Sequence, residues 1–153
     1  MAINLAEELS SITTNATASD WREAIRHAGD GLVAGGVTTE AYTDQMIAAV
    51  EEHGPYIVIA PGVALAHARP SESVKKGGLS WVSLASPVEF GHKSNDPVSL
   101  VIGLAALDHT AHIEVLRAVA GILSDPAARR RLDAAESADD VRSFLADAAP
   151  SNK

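Results

Sequence analysis

Residues Pro55 to Pro70 read Pro-Tyr-Ile-Val-Ile-Ala-Pro-Gly-Val-Ala-Leu-Ala-His-Ala-Arg-Pro and set one histidine, His67, two positions from one arginine, Arg69. An imidazole can accept a phosphoryl group on nitrogen, and a guanidinium offers planar donors matched to phosphate oxygens. The small side chains of Ala64, Ala66 and Ala68 are expected to leave the ring open to a partner protein. Strand alternation puts His67 on the side of Val63 and Leu65, the expected core side, so access requires the strand to break near Gly62 or before Ala66. The rival reading of His67 is a core histidine with one satisfied hydrogen bond. For Arg69 the rival is a plain surface salt bridge.

A second cluster, Asp108-His109-Thr110-Ala111-His112, follows a long apolar run and opens a helix. Such a junction presents unpaired backbone N–H groups and the positive end of a helix dipole, a setting suited to an anion. His112 aligns with Leu116, Val119 and Leu123, at the edge of the buried face. The dipole opposes its charge, so a neutral ring there would orient another imidazole or donate one hydrogen bond to a phosphoryl oxygen. Packing at the helix edge is the competing role. His109 is expected in an exposed loop. His67, His109 and His112 together offer three imidazoles to zinc, but i, i+3 spacing across a helix start is imprecise and no His-Glu-x-x-His motif is present. No metal and no cofactor are expected.

The elements that must position these residues follow from periodicity and punctuation. A short helix is expected over 4–10 and an extended segment over Ser11–Ala16. Asp20 with Glu23 forms a capping box that opens a helix through about His27, and Gly29, Gly31, Gly35 and Gly36 mark a turn. Thr38 or Thr39 caps a second helix carrying Tyr42, Met46, Ile47 and Val50, stopped by Gly54-Pro55. Strands are expected over Tyr56–Ala60 and Leu79–Val88. The run from Pro97 to Leu107 suits a central strand buried on both faces. Helices follow over 111–123, 126–134 and 138–147, with a frayed end at 150–153. Helices on either side of apolar strands make this an α/β fold, a mixed sheet flanked by helices on both sides, as one domain over residues 1–153.

Composition bounds the function. The chain has 153 residues, no cysteine, 46% apolar residues and a net charge of −8. Disulfides and thiolate chemistry are excluded, and the acidic balance argues against nucleic-acid binding. Lys75-Lys76 and Arg129-Arg130-Arg131 read as solvated faces. No run has the length of a membrane span and the N-terminus lacks a signal-peptide pattern, so a cytoplasmic protein without direct membrane insertion is expected. An acidic surface suits steering toward a basic partner.

Together, the His67 segment and the stretch Val88-Glu-Phe-Gly-His-Lys-Ser-Asn-Asp-Pro-Val-Ser-Leu-Val-Ile-Gly-Leu-Ala-Ala-Leu-Asp-His-Thr-Ala-His-Ile-Glu-Val-Leu116 resemble the enzyme IIA domains of the mannitol/fructose superfamily. The likeness runs from roughly Ala18 to Leu123, and the His67 wording is closest to the ascorbate-type branch. These domains belong to the phosphoenolpyruvate-dependent sugar phosphotransferase system. The resemblance implies a cytoplasmic phosphocarrier in which His67 accepts phosphate from the carrier protein HPr. His67 would pass it to an enzyme IIB, with His112 as the second histidine of the motif. Ala66 stands where much of the superfamily has proline. Glu51-Glu52-His53 stands where the hexitol branch carries an arginine, and Arg69 is the expected replacement. A regulatory IIA-like module, nitrogen-linked or transcription-regulating, is the alternative function. The aliphatic content of the 41–50 and 113–123 helices would permit a homodimer, and the transported sugar is not encoded in these residues.

Overall fold

The computed structural model describes residues 9–135 and 137–147. Five strands form one sheet: β1 (Leu9–Ala16), β2 (Val58–Ala60), β3 (Val63–His67), β4 (Gly78–Val88) and β5 (Val98–Ala105). The order across it is β1-β4-β5-β3-β2. β1 runs parallel to β4 and β3 parallel to β5, whereas β4–β5 and β2–β3 are antiparallel. The mixed sheet is therefore as expected.

Helices cover both of its faces. On one side lie α1 (Trp21–Ala34) and α2 (Glu40–His53), packing Ala24, Ile25, Ala28, Leu32, Tyr42, Met46 and Val50 against Ala64, Ala66 and Val101. On the other lie α3 (His109–Leu123), α4 (Pro126–Asp133) and α5 (Ala138–Asp147), packing Val115, Val119, Leu132, Phe144 and Leu145 against Val63, Leu65, Ile102 and Leu104. A sheet covered twice needs apolar residues in both alternating registers. This is why β5 reads as an almost unbroken apolar run.

Local signals fix the ends of the helices. The Asp20 carboxylate accepts from the Glu23 backbone N–H at 2.9 Å, and the Glu23 carboxylate accepts from Ser19 N–H at 2.8 Å, so the capping signal at α1 is real. Asp108 caps α3 in the same way, through Ala111 N–H at 2.8 Å. At Gly62 a φ of +77° lets the β2–β3 turn close. α2 is anchored by four buried hydrophobic side chains, Tyr42, Met46, Ile47 and Val50. Each contributes roughly 1.5–3 kcal/mol. The half-exposed Arg22–Glu51 ion pair that also joins α1 to α2 is worth at most about 1 kcal/mol.

Several sequence expectations need correction. α1 does not stop near His27 but continues to Ala34, straight through Gly29 and Gly31. Those glycines are not turn residues; they permit close packing, since a Cβ on Gly29 would run into Thr43 and one on Gly31 into Ser11 and Ser80. The strand expected from Tyr56 begins at Val58, because Pro55 to Ile57 form a turn that leaves Tyr56 outside the ladder. α3 starts at His109 rather than Ala111, since the Asp108 cap sets its first residue. The helix expected over 4–10 falls mostly outside the described residues, and Leu9 and Ser10 belong to β1. The tail expected at 150–153 also lies outside them. Of the aliphatic residues in the 41–50 and 113–123 helices, Met46, Ile47, Val50, Val115, Val119 and Leu123 are buried inside the chain itself, while Ile113, Leu116 and Ile122 keep part of their surface exposed.

One contact sets how closely α1 sits on the sheet. Ser80 Oγ donates to the Ala28 carbonyl at 2.7 Å, directly over Gly103. A Cβ at Gly103 would meet Ser80 Oγ, with Ala28 Cβ at 3.2 Å and the Ala28 carbonyl at 3.3 Å. Gly103→Ala is therefore expected to destabilise the fold by about 1–3 kcal/mol through overpacking. Denaturant unfolding checks this, and an unchanged midpoint would show that α1 can move away freely.

Candidate functional site

His67 is the last residue of β3, and its register partner on β5 is Leu104. Four residues further along the chain, β5 hands over to the Asp108 cap of α3. A parallel pair ends on one side of the sheet, so the end of β3 and the start of α3 are neighbours. His67 and His112 meet there with ring centroids 5.2 Å apart and planes at 64°. His67 is half-buried and His112 is 8% exposed.

Of the two places where a break is expected, the chain breaks at Gly62 and not before Ala66. β3 runs unbroken from Val63 to His67, and the turn at Gly62 separates it from β2. His67 does lie on the side of Val63 and Leu65, but it sits where the strand ends, past the apolar core. Ala64, Ala66 and Ala68 turn to the opposite face and pack in the core under α1 and α2, so they do not open the ring as expected. The rings that flank His67 are His112 and Tyr56, the latter at 5.6 Å and nearly perpendicular.

One hydrogen bond fixes the chemistry of the His67 ring. Its Nδ1 lies 2.7 Å from the Leu65 carbonyl oxygen, which can only accept. Nδ1 therefore carries the proton, and Nε2 keeps its lone pair. Burial pushes the pKa of His67 below the ordinary value of 6.5, while the Leu65 carbonyl opposes that shift. His112 is pushed down too, first by burial and then by repulsion from His67 and His109. Both rings are thus neutral near pH 7, as a nitrogen nucleophile and a neutral donor require. His112 Nδ1 is buried and has no hydrogen-bond partner among the described residues.

At the start of α3, where an anion site is expected, the Asp108 cap takes one of the free backbone N–H groups. The Asp108 carboxylate takes the Ala111 N–H and the Asp108 carbonyl takes the His112 N–H at 3.1 Å. A carboxylate at that end also repels an anion. Arg69 is exposed just beyond β3, near enough to Tyr56 for its charge to favour the phenolate, although burial still raises the Tyr56 pKa. At the end of α2, Glu51 is held by Arg22 at 3.0 Å, and the His53 ring stands 6.1 Å from that of Tyr56. His109 is exposed, as expected, but in the first turn of α3 rather than in a loop. Among the described residues no group of three or more His, Cys, Asp or Glu side chains is disposed to hold a metal ion.

Tyr56 and Tyr42 were not singled out from sequence. Tyr56 read as the start of a buried strand but is 44% exposed beside His67. Leu107, 59% exposed, stands directly before the α3 cap. Tyr42 read as one apolar residue of a helix face. The available signal was its hydroxyl, since a tyrosine buried at a core position must find a partner.

The geometry agrees with comparisons to known proteins. The family model described as phosphoenolpyruvate-dependent sugar phosphotransferase system, EIIA 2, matches residues 7–148. The ascorbate-specific PTS system EIIA component of Salmonella choleraesuis (strain SC-B67) is 43% identical over 143 residues, covering 93% of this chain and 92% of that one. The solution structure of the mannitol-specific cryptic phosphotransferase enzyme IIA CmtB from Escherichia coli superimposes with a TM-score of 0.84 at 31% identity, covering 95% of this chain and 99% of that one. A complex of enzyme IIAMtl with phosphorylated enzyme IIBMtl from Escherichia coli matches with a TM-score of 0.76 at 30% identity, over 89% and 94% of the two chains. Among the described residues no helix is long and apolar enough to cross a membrane.

The two depressed imidazole pKa values make a pH prediction with a definite sign. In the unfolded chain both rings titrate near 6.5, above their folded values. As pH falls through 6.5 the unfolded state binds protons first, so the contribution of these rings to stability is complete above that pH and declines below it. Ring-nitrogen NMR should give midpoints below 6.5 for both, and in His67→Asn the His112 midpoint should rise because one repelling group is gone. A His112 midpoint that stays put in that variant would show the rings to be uncoupled.

Proposed function

The chain belongs to the EIIA 2 family of the phosphoenolpyruvate-dependent sugar phosphotransferase system, and from that premise we propose that His67 is the residue on which it carries phosphate. The observation that supports this most is the His67 ring itself: Nδ1–H tied to the Leu65 carbonyl, Nε2 bearing the lone pair, and His112 alongside. In this reading the donor is the phosphohistidine of HPr. Its N–P bond breaks as the Nε2–P bond on His67 forms, and the two nitrogens are similar in basicity, so the step is nearly balanced. The protein has little covalent work to do beyond holding a neutral imidazole in line and stabilising three oxygens.

His112 is the group poised to face those oxygens, since its ring adjoins His67 and its helix end opposes a permanent charge on it. Once His67 carries a phosphoryl dianion, the nearby negative charge favours protonated His112 and adds a charge-assisted hydrogen bond. Arg69, exposed beyond the strand end, supplies long-range positive charge in place of the arginine that α2 lacks. No metal or cofactor enters the step. Tyr56 and Leu107 give the donor protein an apolar rim to dock on, which also excludes water from a labile N–P bond.

His67 then passes the group to an enzyme IIB, a partner of the kind bound in the Escherichia coli IIAMtl–IIBMtl complex. Likeness to ascorbate-specific components favours an ascorbate-type system for this chain. The His67 environment is the same for donor and acceptor, so one rim must serve both partners in turn.

Phosphorylation by phosphoenolpyruvate, enzyme I and HPr, followed by intact mass, tests the reading. One acid-labile phosphate is expected on the wild type and none on His67→Ala. His112→Ala should slow transfer on the order of 100-fold, the size typical of losing one transition-state donor. Arg69→Ala should slow it by a smaller factor, and unaltered kinetics would remove Arg69 from the mechanism. Because His67 titrates below 6.5, the acid limb of the rate should also lie below 6.5. A stable label that reaches no enzyme IIB would instead mark a regulatory module.

A further inference from the structure

We propose that Tyr42 is the positioning residue that sets the spacing of His67 and His112, acting from the opposite face of the sheet. The inference rests on the phosphocarrier reading of that pair. The Tyr42 hydroxyl accepts the Ala68 N–H at 3.0 Å and lies 2.7 Å from the Leu104 carbonyl and 3.1 Å from that of Ala68. It has one proton to give, and the shorter contact assigns it to Leu104.

These partners are the ends of the two strands that carry the histidines. Ala68 follows His67 directly, and Leu104 is the register partner of His67. Past this pair β3 leaves the sheet, while β5 runs on toward the cap of α3. The hydroxyl bridges the point where the two chains part: Ala68 N–H to oxygen, oxygen to Leu104 carbonyl. One side therefore fixes the backbone under His67, and the other fixes the lead-in to His112.

Tyr42 cannot touch the phosphoryl group. Its ring is fully buried among Ala66, Ala68, Met46 and Val50, on the face covered by α1 and α2. The His67 ring is on the other face, against α3. Phenylalanine would fill the same space, but only tyrosine joins the strands. Burial drives the phenol pKa to about 12, so the donor stays protonated wherever the protein works.

The test is Tyr42→Phe, compared with Ile25→Val, a core change in the same layer that leaves the strand ends alone. In phosphoryl transfer from phospho-HPr, Tyr42→Phe is expected to lower kcat roughly 10- to 100-fold, as small misplacements do. KM should stay within about a factor of two, since the docking surface is untouched. The His112 ring should titrate closer to 6.5, because a wider spacing weakens its repulsion by His67. Ile25→Val should change neither quantity at a comparable loss of stability. Wild-type kinetics with an unmoved His112 midpoint in Tyr42→Phe would overturn the proposal, as would equal slowing in both variants. Should the wild type take no phosphate, the carrier reading falls, and the His112 titration alone still decides whether Tyr42 sets the spacing.

Discussion

Because β3 and β5 run parallel with His67 opposite Leu104, both strands finish at the same level on the same side of the sheet. Everything that bears on the candidate chemistry follows from that register. The first strand ends on a histidine, and the second feeds, through Ala106, Leu107 and the Asp108 cap, into a helix whose first turn carries another. A shift of one residue would turn His67 to the other face, under α2, and leave His112 facing nothing. The register is protected on both faces, since Leu65 and Ile102 pack toward α3 while Ala64, Ala66 and Val101 pack toward α1 and α2.

The site draws its properties from being at the margin of the core rather than in it or outside it. Burial is sufficient to keep both imidazoles neutral near pH 7, yet His67 retains access through the end of its strand. The Leu65 carbonyl, two residues back on the same strand, decides the tautomer without any other side chain. The backbone that carries His67 thus also orients its ring. The cap of α3 works the other way. Asp108 stabilises the helix that delivers His112, but it takes the Ala111 amide and places a negative charge at that helix end.

Membership of the EIIA 2 family and the shared architecture of the mannitol-type structures fit this geometry. The chain departs from the hexitol pattern at the end of α2, where Glu51 is tied to Arg22 and the neighbouring ring is His53. Beside His67 the exposed Tyr56 offers apolar contact at the protein surface. Such a surface suits brief encounters, in which release is as necessary as binding.

Much of the fold was legible from sequence. The capping residue Asp20, the stop at Gly54-Pro55 and the two-faced apolar run of β5 are local signals that the packing then used. The wording of the two histidine stretches carried a resemblance to the family, and the family model bears that resemblance out. What the sequence misplaced depends on contacts between distant segments. Gly29 and Gly31 read as a turn because glycine is a poor helix former, and only Thr43, Ser11 and Ser80 packing against them explains why α1 continues. The alanines beside His67 read as an open approach, but alternation sends them to the far face. The meeting of His67 with His112, the tautomer chosen by Leu65 and the strand bridge made by Tyr42 were decided by tertiary structure alone. Local sequence sets which way each side chain can point along its own element, whereas distance across the sheet is set by register and by what packs behind it.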